Sequence, residues 1–204
     1  MFGVADYGAF VATVILFLLI PGPGNLALIT STSQGGVNGG LAATVGVILG
    51  DQILMWAAVA GVAALLVAYP AAFSVLQWSG AAYLAWLGLR LLKGGEGPKL
   101  VVEIRPGQYL RQTLLITLLN PKAIMFYLAF FPLFVNPAHH QGFWTFAFMA
   151  LTIATLTFLY GLALALLTRH LAGHLRANPH VSRWMQKMAG LFLVGFGLRM
   201  VLSR

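Results

Sequence analysis

Apolar residues fill six long segments of this 204-residue chain, and short polar or glycine-rich stretches separate the segments. Each segment, arranged as a helix, is hydrophobic on every face, which is typical of membrane-spanning helices rather than of amphipathic surface helices. About 20 such residues cross the hydrocarbon core of a bilayer. The pattern therefore predicts an all-α polytopic membrane protein with six transmembrane helices, at about residues 8–32, 38–68, 71–92, 110–135, 143–168 and 184–203.

The first segment is interrupted near its middle by the stretch Ile20-Pro21-Gly22-Pro23-Gly24-Asn25. Proline removes a backbone donor and glycine adds backbone freedom, so the helix is expected to break there. The fourth segment is interrupted in the same way at Asn120-Pro121-Lys122. Freed backbone groups at bilayer depth need protein or a water-filled cavity to satisfy them. Two broken helices in corresponding positions predict a transporter site near the midplane.

A similarity between the third and sixth segments extends this symmetry. Both contain the sequence Gly-Leu-Arg, at residues 88–90 and 197–199. Together with the two interruptions, it predicts two repeats of three helices, and an odd number of spans makes the repeats inverted. We expect a single membrane domain, residues 1–204, in which a cytoplasmic linker at about 93–109 joins repeat one at about 8–92 to repeat two at about 110–204.

Composition agrees with a membrane protein, since 60% of the residues are hydrophobic, 8% are charged and the mean hydropathy is +0.88. The net charge of +8 would suggest nucleic acid in a soluble protein. Here the basic residues are concentrated in two loops and adjoining helix ends, which predicts cytoplasmic loops, no nucleic-acid partner and both termini outside the cytoplasm. These residues are Arg90, Lys93, Lys99, Arg105 and Arg111, and Arg169, Arg176, Arg183 and Lys187. No basic stretch precedes the first apolar run, so that helix is expected to remain in the mature protein.

Two charged residues lie deep within the predicted spans. Asp51 is the only acid there, and an ionisable group inside a membrane marks a substrate or proton pathway by default. We interpret it as a proton-coupling or substrate-contact carboxylate, with a structural hydrogen-bond anchor as the alternative. Lys122 could pair with Asp51 or hold a substrate carboxylate, and the alternative is a lysine that extends its ammonium to the membrane interface.

The two interruptions also supply polar groups suited to an amino acid. Half-helix N-termini attract a carboxylate and unwound carbonyls attract an ammonium, so the backbone near Gly22 and Gly24, with Asn25 and Asn120, fits a zwitterion. The asparagines could equally cap the broken helix ends. Hydroxyls elsewhere in the spans are interpreted as helix-interface groups that bond to the backbone, at Thr30, Thr152, Thr155 and Thr157.

Glycines at positions 46 and 50 form a small-xxx-small pair. Such a pair lets another helix approach closely, either within the bundle or in a homodimer, and the sequence leaves both open.

Several chemistries are excluded. The chain has no cysteine for a disulfide or a thiol relay, no phosphate-binding loop for ATP hydrolysis, no second intramembrane acid for an aspartyl protease and no His-Glu-x-x-His motif for a metalloprotease. The histidine pairs 139/140 and 170/174 lack accompanying acids or cysteines and are interpreted as loop polarity. We therefore predict that the chain is not an enzyme and has neither a metal site nor a cofactor.

Four motifs, in this order and spacing, resemble the LysE/RhtB family of bacterial amino-acid exporters, most closely its leucine-exporting branch. They are Pro21-Gly22-Pro23 followed by Asn25, the Gly-x-x-x-Gly-Asp run from Gly46 to Asp51, residues 80–88, and Asn120-Pro121-Lys122 continuing to Tyr127. The resemblance implies a six-helix exporter in the bacterial inner membrane that expels amino acids with the proton gradient. Many members have asparagine or aspartate directly after Pro-Gly-Pro, whereas Gly24 intervenes here, which leaves the position of Asn25 relative to the site open.

The resulting prediction is a secondary transporter that exports amino acids by proton antiport. Its partners are the amino acid, protons and the lipid bilayer. Because the predicted site has no second acid to hold a cationic side chain, neutral or aliphatic amino acids are favoured. A passive channel or facilitator for small zwitterions, and an exporter of basic amino acids, are the alternatives.

Overall fold

The computed structural model describes residues 3–20, 22–68, 75, 89, 104–135, 142–171, 187 and 191. This part of the chain forms α-helices without strands, which confirms the all-α prediction. The third and sixth predicted segments, and the sequence similarity between them, lie outside the described residues apart from four single positions, 75, 89, 187 and 191. The helices are α1 (Tyr7–Leu19), α2 (Pro23–Ala68), α3 (Tyr109–Leu118), α4 (Pro121–Phe134) and α5 (Phe143–Leu171).

Both interruptions seen in the sequence are present as helix ends. Ile20, the residue before Pro21, has the extended conformation that a following proline favours, and it ends α1. Asn120 is also extended, and Pro121 occupies the first helical position of α4, where its missing N–H is not needed. At both interruptions, therefore, one helix ends and the next begins because a proline follows an extended residue.

Helix α2 reverses its direction at Gly36. This residue has a φ of +62°, in the left-handed region that glycine enters without strain. Gly39 packs against the carbonyl oxygen of Ser31, and Gly40 packs against Thr32. Residues eight positions apart in a straight helix are about 12 Å apart, so these contacts require a tight turn. The turn divides α2 into an N-terminal arm (residues 23–35) and a C-terminal arm (residues 37–68).

The two interrupted helices run in opposite directions. Val4, just before α1, forms an antiparallel bridge with Val135 at the end of α4. At the other end of the molecule, the ring of Tyr109, at the start of α3, packs on Gly35 beside the turn of α2. Hence α1 and the N-terminal arm lead away from the Val4 end, whereas α3 and α4 lead towards it, and the interruptions meet between the two ends.

Small residues allow α3 to lie directly on the C-terminal arm of α2. Gly46 faces the backbone of Leu110 and Leu114, and Gly50 faces the side chain of Thr117. The small-xxx-small pair thus makes a contact within the chain, which resolves the choice that the sequence left open for these two glycines.

We expect Gly46→Ala to destabilise the protein. A Cβ on Gly46 would meet the Leu110 carbonyl oxygen and lie 3.1 Å from the Leu114 nitrogen, and neither backbone atom can move without shifting α3. Overpacking of this kind costs about 1–3 kcal/mol. Thermal unfolding of the purified protein in detergent measures the effect. Gly61→Ala is the matched control, because a Cβ on Gly61 meets no atom within 4 Å. An unchanged unfolding temperature for Gly46→Ala would contradict the packing argument.

Among the described residues, two helical stretches are long and apolar enough to cross a membrane, Pro23–Gly61 and Phe143–Thr168. The turn at Gly36 divides the first stretch, and its C-terminal arm alone exceeds the ~20 residues that a bilayer requires. Large apolar side chains are exposed along this arm and along α5, as expected of surfaces that contact lipid. They include Leu49, Ile53, Leu151, Leu159 and Leu166.

Candidate functional site

The C-terminal end of α1 is held by the side chain of Lys122. Its Nζ donates to the carbonyl oxygen of Phe17 at 3.0 Å and to that of Ile20 at 2.7 Å. The ammonium also lies 4.3 Å from the centre of the Phe17 ring. The last carbonyls of a helix lack intrahelical donors and carry partial negative charge, so a buried cation stabilises them. The ammonium therefore lies at the interruption of the first helix.

Asn25 satisfies a further carbonyl at the same helix end. Its Nδ2 donates to the carbonyl oxygen of Leu18 at 2.9 Å and to that of Ile20 at 3.3 Å. The amide thus caps α1 from the first turn of α2. With Gly24 between Pro23 and Asn25, the asparagine side chain still faces the interruption.

The second interruption is capped by its own asparagine. Asn120 is buried, and its Oδ1 accepts a hydrogen bond from the backbone N–H of Lys122 at 3.1 Å. An asparagine at this position is a favoured helix cap. This cap fixes the start of α4, where Lys122 is the second residue and its side chain contacts α1.

Asp51 lies on the C-terminal arm of α2 and is only 4% exposed. The hydroxyl of Tyr127, a buried residue of α4, donates a hydrogen bond to its carboxylate. The carboxylate also interacts electrostatically with the Lys122 ammonium. A buried carboxylate needs such partners, because burial of an isolated charge is strongly unfavourable.

These groups surround one cavity of about 40 Å³, which has room for a few water molecules. Six of the nine sequence-predicted site residues line it, namely Gly22, Gly24, Asn25, Asp51, Asn120 and Lys122. Pro23 and Pro121 begin α2 and α4 beside it, and Pro21 lies outside the described residues. The structure thus brings the predicted residues of both interruptions together, while their role in binding or coupling stays a prediction.

Other residues of the cavity wall were not predicted as site residues. Phe17, Thr117 and Tyr160 line it, and so does Thr157, which the sequence interpretation had assigned to a helix interface. Thr152 and Thr155 do bond to backbone carbonyls in their own helix, but the Thr157 hydroxyl is buried without a hydrogen-bond partner. The signal available in the sequence was the spacing of Thr157, Tyr160 and Gly161, which places them on one face of a helix.

The cavity combines a carboxylate, an ammonium, two amides and a helix N-terminus with apolar walls. Within the ranges that the structure describes, no three histidine, cysteine or acidic side chains cluster as metal ligands. Such a set can bind a small zwitterion and can hold or release a proton at the carboxylate. It offers no pair of groups arranged for hydrolysis.

Comparison with known proteins gives a consistent assignment. Residues 15–204 match the family model described as LysE type translocator. A leucine efflux protein of Salmonella typhimurium is 34% identical over 206 residues, covering 98% of this chain and 96% of the relative. An uncharacterized membrane protein of Pseudomonas aeruginosa is 34% identical over 206 residues, covering 97% and 95%. A leucine efflux protein of an Enterobacter species is 31% identical over 210 residues, covering 98% and 96%.

No solved structure matches the chain significantly. The family model nevertheless covers most of the chain, and the relatives align over nearly their whole length. The chain therefore belongs to the LysE type translocator family and is a membrane transporter rather than an enzyme.

Proposed function

We propose that this protein exports neutral or aliphatic amino acids from the cytoplasm by proton antiport, with the substrate bound between the two interrupted helices. The main support for the proposal is that both interruptions line one cavity, together with Asp51 and Lys122. Interrupted helices of opposite direction that meet near the midplane are the usual binding architecture of secondary transporters. Two relatives are named leucine efflux protein, which supports the substrate class.

The lining of the cavity supports a neutral side chain. Phe17, Leu28 and Val47 contribute apolar surface. Asp51 is the single acid among the described lining residues, and Tyr127 and Lys122 already interact with it. A lysine or arginine side chain would need a further buried acid as a partner, so the site disfavours it.

The proposed architecture is six spans in two inverted repeats, with the chain in the bacterial inner membrane and both termini outside the cytoplasm. The opposite directions of the α1–α2 and α3–α4 pairs support this symmetry. The basic loops around positions 93–111 and 169–187 support the orientation.

Transport by the purified protein in liposomes tests the proposal. We expect saturable movement of radiolabelled L-leucine against its gradient when a pH gradient is imposed, collapse of that movement with a protonophore, and much weaker transport of L-lysine. Protein-free liposomes provide the background. Flux that follows only the leucine gradient would contradict proton antiport and favour a facilitator. A clear preference for lysine would overturn the proposed substrate class.

A further inference from the structure

The Thr157 hydroxyl is a polar group of the cavity that the fold leaves without a partner. Thr157 is 1% exposed, lies in α5, and its Oγ1 has no hydrogen-bond partner. Most buried hydroxyls in folded proteins are bonded, and threonines in helices commonly donate to the carbonyl four residues earlier. Thr155, two residues before it, does this with Leu151 at 2.8 Å. The buried hydroxyl of Thr157 therefore retains an unused hydrogen bond, which it can donate to a bound molecule once the cavity widens.

The first turn of α2 lies on the same cavity. Gly24 and Asn25, the second and third residues of this helix, line it together with Thr157. Helix geometry leaves the N–H groups of a first turn without intrahelical acceptors, and the helix dipole places partial positive charge there. A Cβ on Gly24 would meet no atom within 4 Å, so the space beside this backbone is open. An anion in this space would lie beside the first turn of α2.

We propose that the Thr157 hydroxyl and the first turn of α2 together bind the carboxylate of the transported amino acid. This inference rests on the proposed function and assigns one end of the substrate. The hydroxyl donates to one carboxylate oxygen and the first-turn N–H groups donate to the other. Lys122, the alternative cation, already donates to two carbonyls of α1.

The affinity of the Thr157→Val variant for two probe molecules tests the inference. Valine keeps the shape of threonine and removes the hydroxyl. We expect the dissociation constant for L-leucine to rise by roughly tenfold or more, because a charge-assisted hydrogen bond is lost. The dissociation constant for 3-methylbutylamine, which is leucine without its carboxylate, should change by less than about twofold, because this amine has no carboxylate to accept the hydrogen bond. Calorimetric titration of the purified full-length protein in detergent measures both constants.

Three controls accompany this experiment. Thr157→Ser retains the hydroxyl and should restore leucine affinity. Thr155→Val removes an exposed hydroxyl from the same helix and should leave leucine affinity unchanged. Thr157→Val should unfold at or above the wild-type temperature without ligand, because its hydroxyl has no partner in the protein, whereas a structural role would lower that temperature.

The outcomes separate this inference from the function on which it rests. Suppose that the wild type binds leucine and that Thr157→Val weakens the affinity for leucine and for 3-methylbutylamine equally. This result would overturn the carboxylate assignment and leave the proposed function standing. Unchanged leucine affinity in Thr157→Val would also overturn the carboxylate assignment alone. A wild-type protein that binds neither probe would overturn the assignment and the proposed substrate class together.

Discussion

Replacing Asp51 with asparagine is expected to abolish proton-driven accumulation of the amino acid while preserving exchange in the absence of a pH gradient. Asparagine has the shape of aspartate and can still accept the Tyr127 hydrogen bond, so the packing around it is retained. It cannot bind and release a proton. If Asp51 couples the proton gradient to transport, uphill leucine movement falls by roughly tenfold or more.

Proteoliposomes loaded with unlabelled leucine measure both activities in one preparation. Exchange of labelled for unlabelled leucine at equal pH reports binding and movement of the substrate, and accumulation after a pH jump reports coupling. Asp6→Asn is the matched control, because Asp6 is an exposed carboxylate that caps α1 through Ala9, and asparagine caps a helix as well. If Asp51→Asn accumulated leucine as the wild type does, the carboxylate would have no coupling role.

Replacing Lys122 with methionine is expected to destabilise the protein and to remove transport with it. The variant loses two hydrogen bonds from an ammonium, at 3.0 and 2.7 Å, and leaves the Phe17 carbonyl without that donor. Hydrogen bonds from charged groups contribute about 1.5–3 kcal/mol each, so a total loss of about 3 kcal/mol is expected. Thermal unfolding in detergent should show a decrease of at least about 5 °C.

A double-mutant cycle identifies the main partner of Lys122. If the carbonyls of α1 are that partner, Lys122→Met should destabilise the Asp51→Asn variant nearly as much as the wild type, with the two effects adding to within about 1 kcal/mol. Arg111→Met, which removes an exposed basic side chain from α3, controls for loss of positive charge and should change stability little. Disappearance of the Lys122 effect in the Asp51→Asn background would show that the carboxylate is the principal partner instead.

The helix ends at both interruptions were predictable because their causes are local. A proline restricts the residue before it to extended conformations and suits the first turn of a helix, and asparagine caps that turn. These rules apply to Pro21 and to Asn120-Pro121 without any knowledge of the rest of the chain. The tight turn in the glycine-rich stretch around Gly36 was predictable in the same way.

The sequence suggested the interaction between Asp51 and Lys122, but the other partners of these buried charged groups were not predictable. Lys122 contacts carbonyls of α1 that precede it by more than 100 positions, and carbonyl groups are present at every residue, so the sequence carries no mark of which ones are used. The hydrogen bond from Tyr127 to Asp51 likewise depends on how α4 packs on α2. Thr157 was assigned to a helix interface because most intramembrane threonines bond to their own helix.

Side chains of α1 and α4 contact each other at several points. The antiparallel bridge between Val4 and Val135 links one end, the rings of Phe17 and Phe126 stack with centroids 3.9 Å apart, and the ammonium of Lys122 completes the contact at the interruptions. The cavity beside them holds only a few water molecules, so it must widen before an amino acid enters. Any such widening either breaks these contacts or moves both helices as one rigid body. We expect the second, with the two interruptions as hinges and the whole helix pair as the gate.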